Sequence, residues 1–427
     1  MKLREWDRNL KIRLYGEALM NISFWMFFPF LTIYFAEEFG KDKAGLLLIF
    51  SQVFSVFANL MGGYCADRFG RKRMMVLSAC GQGICFLVFG LANTPWLDSP
   101  WLSFVCYAFV GIFSAFYWPA SQAMVADVVN EEDRNEVFAI FYTSINIAVV
   151  IGPLLGAIFY PHHRVELMLA AGVACILLCF ILANWTRETA PVYRVKESDG
   201  QQYWYSFLIT QLKEYRLILK DKVLLLFIIG GVLLAQTYMQ LDLLIPVYTK
   251  DNVPKQTMLT IGEWSLSIKG EQAFGILLSE NGMLVALLTL FITRWISRFK
   301  DRTVFIASSL LYALAIFMIG QTISIWWLIV AMAVFTLGEL MTAGLQQTFI
   351  SKLAPKHLRG QYFAAASLRY TIGKTIAPIS IPLTVWIGYD WTIALLCFLA
   401  ALSAVIFWVM FSLFENETKP KPRKCSA

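Results

Sequence analysis

Twelve apolar stretches fill most of this chain, and each is long enough to cross a bilayer: 12–36, 44–66, 74–93, 101–127, 137–160, 165–185, 223–248, 271–293, 303–320, 325–350, 361–387 and 391–414. A helix needs about 20 mainly apolar residues to span the hydrocarbon core. Backbone N–H and C=O groups find no water there, so a spanning segment must satisfy them internally as a helix. The expected fold is an all-α membrane protein with 12 transmembrane helices. The first stretch is too long for a signal-peptide core and no small-residue cleavage site follows it, so it is expected to remain in the membrane.

The net charge of +7 would suit a nucleic-acid partner, but its distribution removes that reading. Of the 36 Lys and Arg, six (Lys41, Lys43, Arg164, Lys250, Lys255 and Lys269) fall in one set of alternate loops. Two more, Arg369 and Lys374, lie inside an apolar stretch. The rest occupy the N-terminal arm, the other loops and the C-terminal tail. Such an excess marks the cytoplasmic side. The expectation is a multi-pass protein of the cell membrane, in contact with the lipid bilayer, with both termini cytoplasmic and no nucleic acid. His162, His163 and His357 all fall in loops, and the Cys show no paired spacing. A haem, a metal site and a His proton relay are therefore not expected.

A charged stretch, 186–222, divides the apolar segments into two sets of six, 1–185 and 223–427, the second ending in a short basic tail. Within it Trp204, Leu208, Leu212, Tyr215 and Leu219 recur at helical spacing. That pattern fits an amphipathic helix on the inner membrane surface, and equally a solvated connector. The halves echo each other. Arg134-Asn135-Glu136-Val137-Phe138-Ala139 returns 225 residues later as Arg359-Gly360-Gln361-Tyr362-Phe363-Ala364. Asp67-Arg68-Phe69 returns 230 residues later as Ser297-Arg298-Phe299. Duplicated bundles with a site between them are the usual build of secondary transporters. The helices are thus expected as two pseudo-symmetric six-helix bundles.

The connection after the second stretch runs from Gly62 to Arg73. Through Gly63, Asp67, Arg68, Gly70, Arg71 and Lys72 it resembles Gly-x-x-x-Asp-Arg-x-Gly-Arg-Lys, a signature of the major facilitator superfamily. The resemblance extends over essentially the whole chain. Arg13, Gln240-Leu241-Asp242 and Thr336-Leu337-Gly338-Glu339 resemble bacterial multidrug/proton antiporters of the LmrP kind. Gly152-Pro153-Leu154-Leu155-Gly156 resembles the end of the antiporter signature, where Gly152, Pro153 and Gly156 would serve helix packing. Its upstream glycines are replaced by Asn146, Ala148 and Val149, and no Arg stands in 105–116 of the fourth stretch. The resemblance implies alternating access with no cofactor. It also implies a latch in which Asp67 reaches the other half, near the start of the eleventh stretch, when the cytoplasmic side closes.

Ionisable side chains in lipid are costly, at least about 2.5 kcal/mol near the centre, and so mark cavities or partners. Glu17, Asp127, Asp242, Glu280 and Glu339 are the candidates for proton coupling. Burial favours the protonated form of a carboxyl and a nearby cation favours the ionised one, so such a group can load and release a proton as its surroundings change. A static ion pair is the alternative for each. Arg369 and Lys374 either neutralise Glu339 or Glu280 or bind an anionic substrate. Asn21, on the face of Glu17, and the aromatic Phe24, Trp25, Phe28, Phe116, Tyr117, Trp118 and Tyr238 are candidate walls of a substrate cavity, suited to lipophilic cations.

No Gly-x-x-x-x-Gly-Lys-Ser/Thr loop is present, which argues against ATP drive, and no nucleophile stands with a base, which argues against an enzyme. The expected function is a monomeric, proton-coupled secondary active transporter taking a small-molecule substrate and protons, exporting lipophilic or cationic drugs. The alternatives are an exporter of one metabolite, sugar, peptide or lipid headgroup, and a sensor that keeps the fold without transport.

Overall fold

The computed structural model describes residues 6–190, 221–261, 264–342, 345–355 and 359–418. The amphipathic pattern at 204–219 lies outside the described residues. In the first half the helices are α1 (Arg8–Trp25), α2 (Leu31–Phe39), α3 (Lys41–Phe69), α4 (Arg71–Ala92), α5 (Pro100–Val128) and α6 (Glu131–Trp185). In the second half α7 (Lys222–Tyr238), α8 (Leu244–Asn252), α9 (Gly270–Ile296), α10 (Asp301–Gly320) and α11 (Ile325–Thr342) come first. They are followed by α12 (Leu345–Leu353), α13 (Arg359–Ile376), α14 (Ser380–Trp386) and α15 (Gly388–Thr418).

Among the described residues ten helical segments are long and apolar enough to cross a membrane. One of them holds two passes, because α6 leaves helical geometry at His163, just after Pro161. The twelfth pass is α13 and α14, interrupted by a 3-10 turn over Ala377–Ile379 that carries Pro378. Among the described residues the membrane-spanning part is thus helical throughout, with twelve spans in two six-helix halves. A hairpin of β1 (Gln256–Ile261) and β2 (Trp264–Ile268) also projects between spans seven and eight, pairing Gln256 with Ile268. The Gln256 amide fixes it to the turn after α10, donating to the Ile323 carbonyl at 2.5 Å.

The two halves share an interruption. Span one breaks at a 3-10 turn, Phe28–Phe30, and span seven at another, Met239–Leu241. Pro29 explains the first, since it lacks the N–H for an i→i−4 bond. Spans two and three are joined by a single residue, Gly70, at φ +100°. A residue with a Cβ is disfavoured in that left-handed region. A Cβ there would also meet the Glu188 carboxylate. Leu77, Phe109, Phe180, Leu287, Phe291 and Trp326 are exposed apolar side chains on the outer helical surfaces, as a lipid-facing belt requires.

Candidate functional site

A cavity of about 790 Å³ lies between the halves, bounded by spans one to four on one side and ten and eleven on the other. Leu31, Phe86 and Lys374 mark its blind end, and Leu60, Trp118, Ile350 and Phe363 carry it toward the face bearing Arg8 and Glu415. The opposite face is sealed across the halves. Lys41 pairs with Asp251, whose carboxylate also accepts from Tyr389 Oη at 2.6 Å. Lys250 pairs with Glu37 at 2.9 Å and with Glu271. Beneath them Thr32 Oγ1 donates to the Asp242 carbonyl at 2.9 Å, joining the interrupted parts of spans one and seven.

Glu339, on α11, is half-buried, and Asn281 on α9 donates to its Oε2 at 3.0 Å. The same amide nitrogen lies 3.0 Å from Thr336 Oγ1, whose own proton goes to the Met332 carbonyl at 2.8 Å. Asp242 sits where span seven is interrupted. Its Oδ1 is buried without a hydrogen-bond partner, and Lys374 and Glu339 are the charges that act on it. Glu280 likewise holds a buried Oε2 without a partner. Ion pairs with Arg369 or Lys374 are found at neither Glu280 nor Glu339 among the described residues.

Glu17 is arranged otherwise. Arg13 donates to it from Nε at 2.9 Å, and Tyr117 Oη donates at 2.7 Å. Arg13 also donates to the Ser121 carbonyl at 2.8 Å and stacks 4.6 Å from the Phe141 ring centre. This is a closed, buried network beside the cavity. Asn21, one turn on, makes no side-chain hydrogen bond among the described residues. Trp25 packs on the notch left by Gly152, where a Cβ would lie 2.5 Å from the Trp25 Cβ. The notch at Gly156 takes the Met26 carbonyl, and the Pro153 carbonyl faces Gly275 on α9. Tyr238 packs against Tyr312, with ring centres 6.1 Å apart. Arg369 donates to Gln346 Oε1 at 2.5 Å and to the Ala366 carbonyl at 3.1 Å. Lys374 is exposed to the cavity.

At the open end Asp67 pairs with Arg71 of its own half and is 71% exposed. Arg71 Nε also reaches Asp127 Oδ2 at 3.3 Å. Lys72 Nζ donates to the Thr186 carbonyl at 2.7 Å, and Arg68 donates to Tyr64 Oη. Of the two adjacent glycines, a Cβ on Gly62 would lie 2.9 Å from the Ala115 carbonyl, while one on Gly63 would meet nothing within 4 Å. Glu188, just after span six, accepts from the backbone N–H of Arg71 (2.8 Å) and Lys72 (3.2 Å), capping α4. Two more N–H groups, of Thr189 and Ala190, turn onto it at 3.0 and 3.1 Å. Burial pushes this carboxyl up, but the four donors together outweigh it and hold it below the ordinary range. Sequence reasoning missed Glu188 because a connector acid carries no signal of its own. Asn281 had one, a polar residue inside an apolar stretch beside Glu280. The sealing pairs of Lys41 and Lys250 looked like ordinary loop charges.

Two helical halves enclose a cavity closed at one face, and among the described residues Asp242 and Glu280 each bury a carboxylate oxygen without a hydrogen-bond partner. A model described as Major Facilitator Superfamily matches residues 14–263 and 256–426, and the chain belongs to that superfamily. It is 56% identical, over 98% of its length and 99% of the relative's, to a protein of Planococcus maritimus named "Na(+), Li(+), K(+)/H(+) antiporter". It is 24% identical to the multidrug resistance protein MdtH of Salmonella typhimurium, covering 86% of this chain and 84% of that one. Among solved structures it resembles a POT family transporter in complex with 5-aminolevulinic acid, with a TM-score of 0.78 at 17% identity and 98% coverage of both chains. The fold is shared with that structure. The chain is a membrane transporter and not an enzyme.

Proposed function

We propose that this protein exchanges monovalent metal cations (sodium, lithium and potassium) for protons across the cell membrane. The relative that is 56% identical over nearly the whole chain carries this reading. The chemistry of the spans supports it. An ionised carboxylate in a low-dielectric interior needs either a proton or a counter-cation, so one group that accepts either, but not both, couples their movements. Glu339, bound by one neutral amide, and Asp242 and Glu280, each with an unpartnered buried oxygen, are groups available for that role. The cavity closed at the Lys41 face is then the inward-facing state, with both termini cytoplasmic. A single chain contains the whole cavity, so a monomer suffices. The halves 1–185 and 223–427 would rock about it, with 186–222 as their connector. In that cycle Asp67, paired here within its own half, leaves Arg71 and engages the other half when the cytoplasmic end closes.

The test uses everted membrane vesicles carrying an acid-inside gradient. Addition of sodium, lithium or potassium salt is expected to release protons, and Glu339→Gln is expected to reduce that release to the level of vesicles lacking the protein, at equal protein content. No proton release with any of the three cations would overturn the proposal.

Drug export is a second reading, favoured by the aromatic wall of Phe24, Phe28, Phe86 and Trp118 and by the name of the Salmonella relative. The cavity wall disfavours lipophilic cations as cargo, since its charged residues are Arg369 and Lys374. Proton release driven by several unrelated dyes in the same vesicles would support this reading.

A further inference from the structure

The cavity between the halves is larger than a bare metal ion needs, and its chemistry has the opposite sign. At about 790 Å³ it matches the size of sites that take drug-sized organic molecules. Among the described residues its lining holds Arg369 and Lys374 and no Asp or Glu. The two cations lie on the same wall, five residues apart on α13. Arg369 is partly spent on Gln346 and on the Phe227 face, 4.7 Å from the ring centre. Lys374 is not spent. Among the described residues its ammonium makes no hydrogen bond and no ion pair, although Asp242 is within electrostatic reach. The facing wall is aromatic at Phe24, Phe86 and Trp118 and carries the amides of Gln52 and Asn59.

A cation with three unused donors, next to apolar rings, favours a ligand that brings a carboxylate or sulfonate on an aromatic body. The charge-assisted bonds hold the acid group and the rings bury the rest. We infer that this cavity binds an aromatic organic anion, anchored on Lys374 and next to Asp242, one of the carboxylates proposed for cation exchange. Ser55 donates to the Ser51 carbonyl at 3.1 Å, so its oxygen is left as an acceptor for a donor on the same ligand.

The protein in nanodiscs of neutral phosphocholine lipid provides the test, by calorimetric titration with 2-naphthalenesulfonate and with uncharged 2-naphthalenesulfonamide. The sulfonate is expected to bind about tenfold more tightly or better, the scale of one charge-assisted hydrogen bond. Lys374→Gln should erase that preference and Lys374→Arg should keep it. Equal binding of the two probes to the parent protein, or a preference that survives Lys374→Gln, would overturn the inference. The parent comparison stands even if a variant fails to fold. Cation-driven proton release, measured separately on vesicles, keeps the two proposals apart: its absence alongside an intact sulfonate preference sinks only the exchange reading.

Discussion

Glu17 and Glu339 are both carboxylates inside apolar spans, and their neighbours separate them. Arg13, 2% exposed, has Glu17 as its counter-ion, so Glu17→Ala leaves a buried guanidinium unpaired. That loss costs about 3–5 kcal/mol, and the expected result is a collapse in folded yield by size-exclusion chromatography. Glu339 has an amide for a neighbour, and Glu339→Gln should keep the fold while losing exchange. Glu188 gives a pH prediction. Its folded carboxyl lies below the ordinary range, so its contribution is complete above the unfolded value and is lost as pH falls through the folded one. Protection of the Arg71 and Lys72 amides, relative to their intrinsic exchange rates, should therefore fall as the solution is acidified past the ordinary carboxyl range. Glu188→Gln should show raised exchange already at neutral pH, with the acid response flattened. An unchanged profile in the variant would show that the cap does not hold α4.

At the scale of elements, the interruptions of spans one, seven and eleven meet near the blind end of the cavity. Each puts a helix end or a side chain such as Asp242 where an unbroken helix would leave only sealed backbone. Close helix approach does the rest. On Gly275 a Cβ would lie 2.5 Å from the Ala157 Cβ and 2.9 Å from the Pro153 carbonyl. Gly275→Leu therefore overpacks the contact between spans five and eight, at a cost of about 1–3 kcal/mol. The expected reading is a lowered Tm of the purified protein in detergent. Gly63→Ala, where nothing lies within 4 Å, is the matched control and should move Tm little.

For the whole molecule, the sealed face decides which side of the membrane the cavity meets. Its ion pairs are partly exposed, with Lys41 at 29% and Asp251 at 31%. Such pairs are worth up to about 1 kcal/mol each, enough to bias a two-state equilibrium and little enough to break in every cycle. Lys41→Gln with Lys250→Gln should shift the population toward the state open at that face. A cysteine introduced at Leu31, the blind end of the cavity, reports it. Labelling by a membrane-impermeant maleimide from the Lys41 side should accelerate in the double variant, and an unchanged rate would mean that the pairs do not hold the seal.

Hydropathy was enough for the helical spans, because lipid leaves a backbone few solutions and those solutions repeat along the sequence. The same reasoning singled out Glu17, Asp242, Glu280 and Glu339 by their cost in lipid, yet could not say which was already paired. That distinction rests on Arg13 and Tyr117 meeting Glu17 from other turns and spans, and on Asn281 meeting Glu339. Nor could a linear reading place Lys374 on a cavity wall that holds no acid among the described residues, or join Lys41 to Asp251 across 210 residues. Partition between water and lipid is a property of each segment, so the sequence alone determines it. Charge pairing and cavity walls are properties of neighbours, and only the packed tertiary structure chooses those.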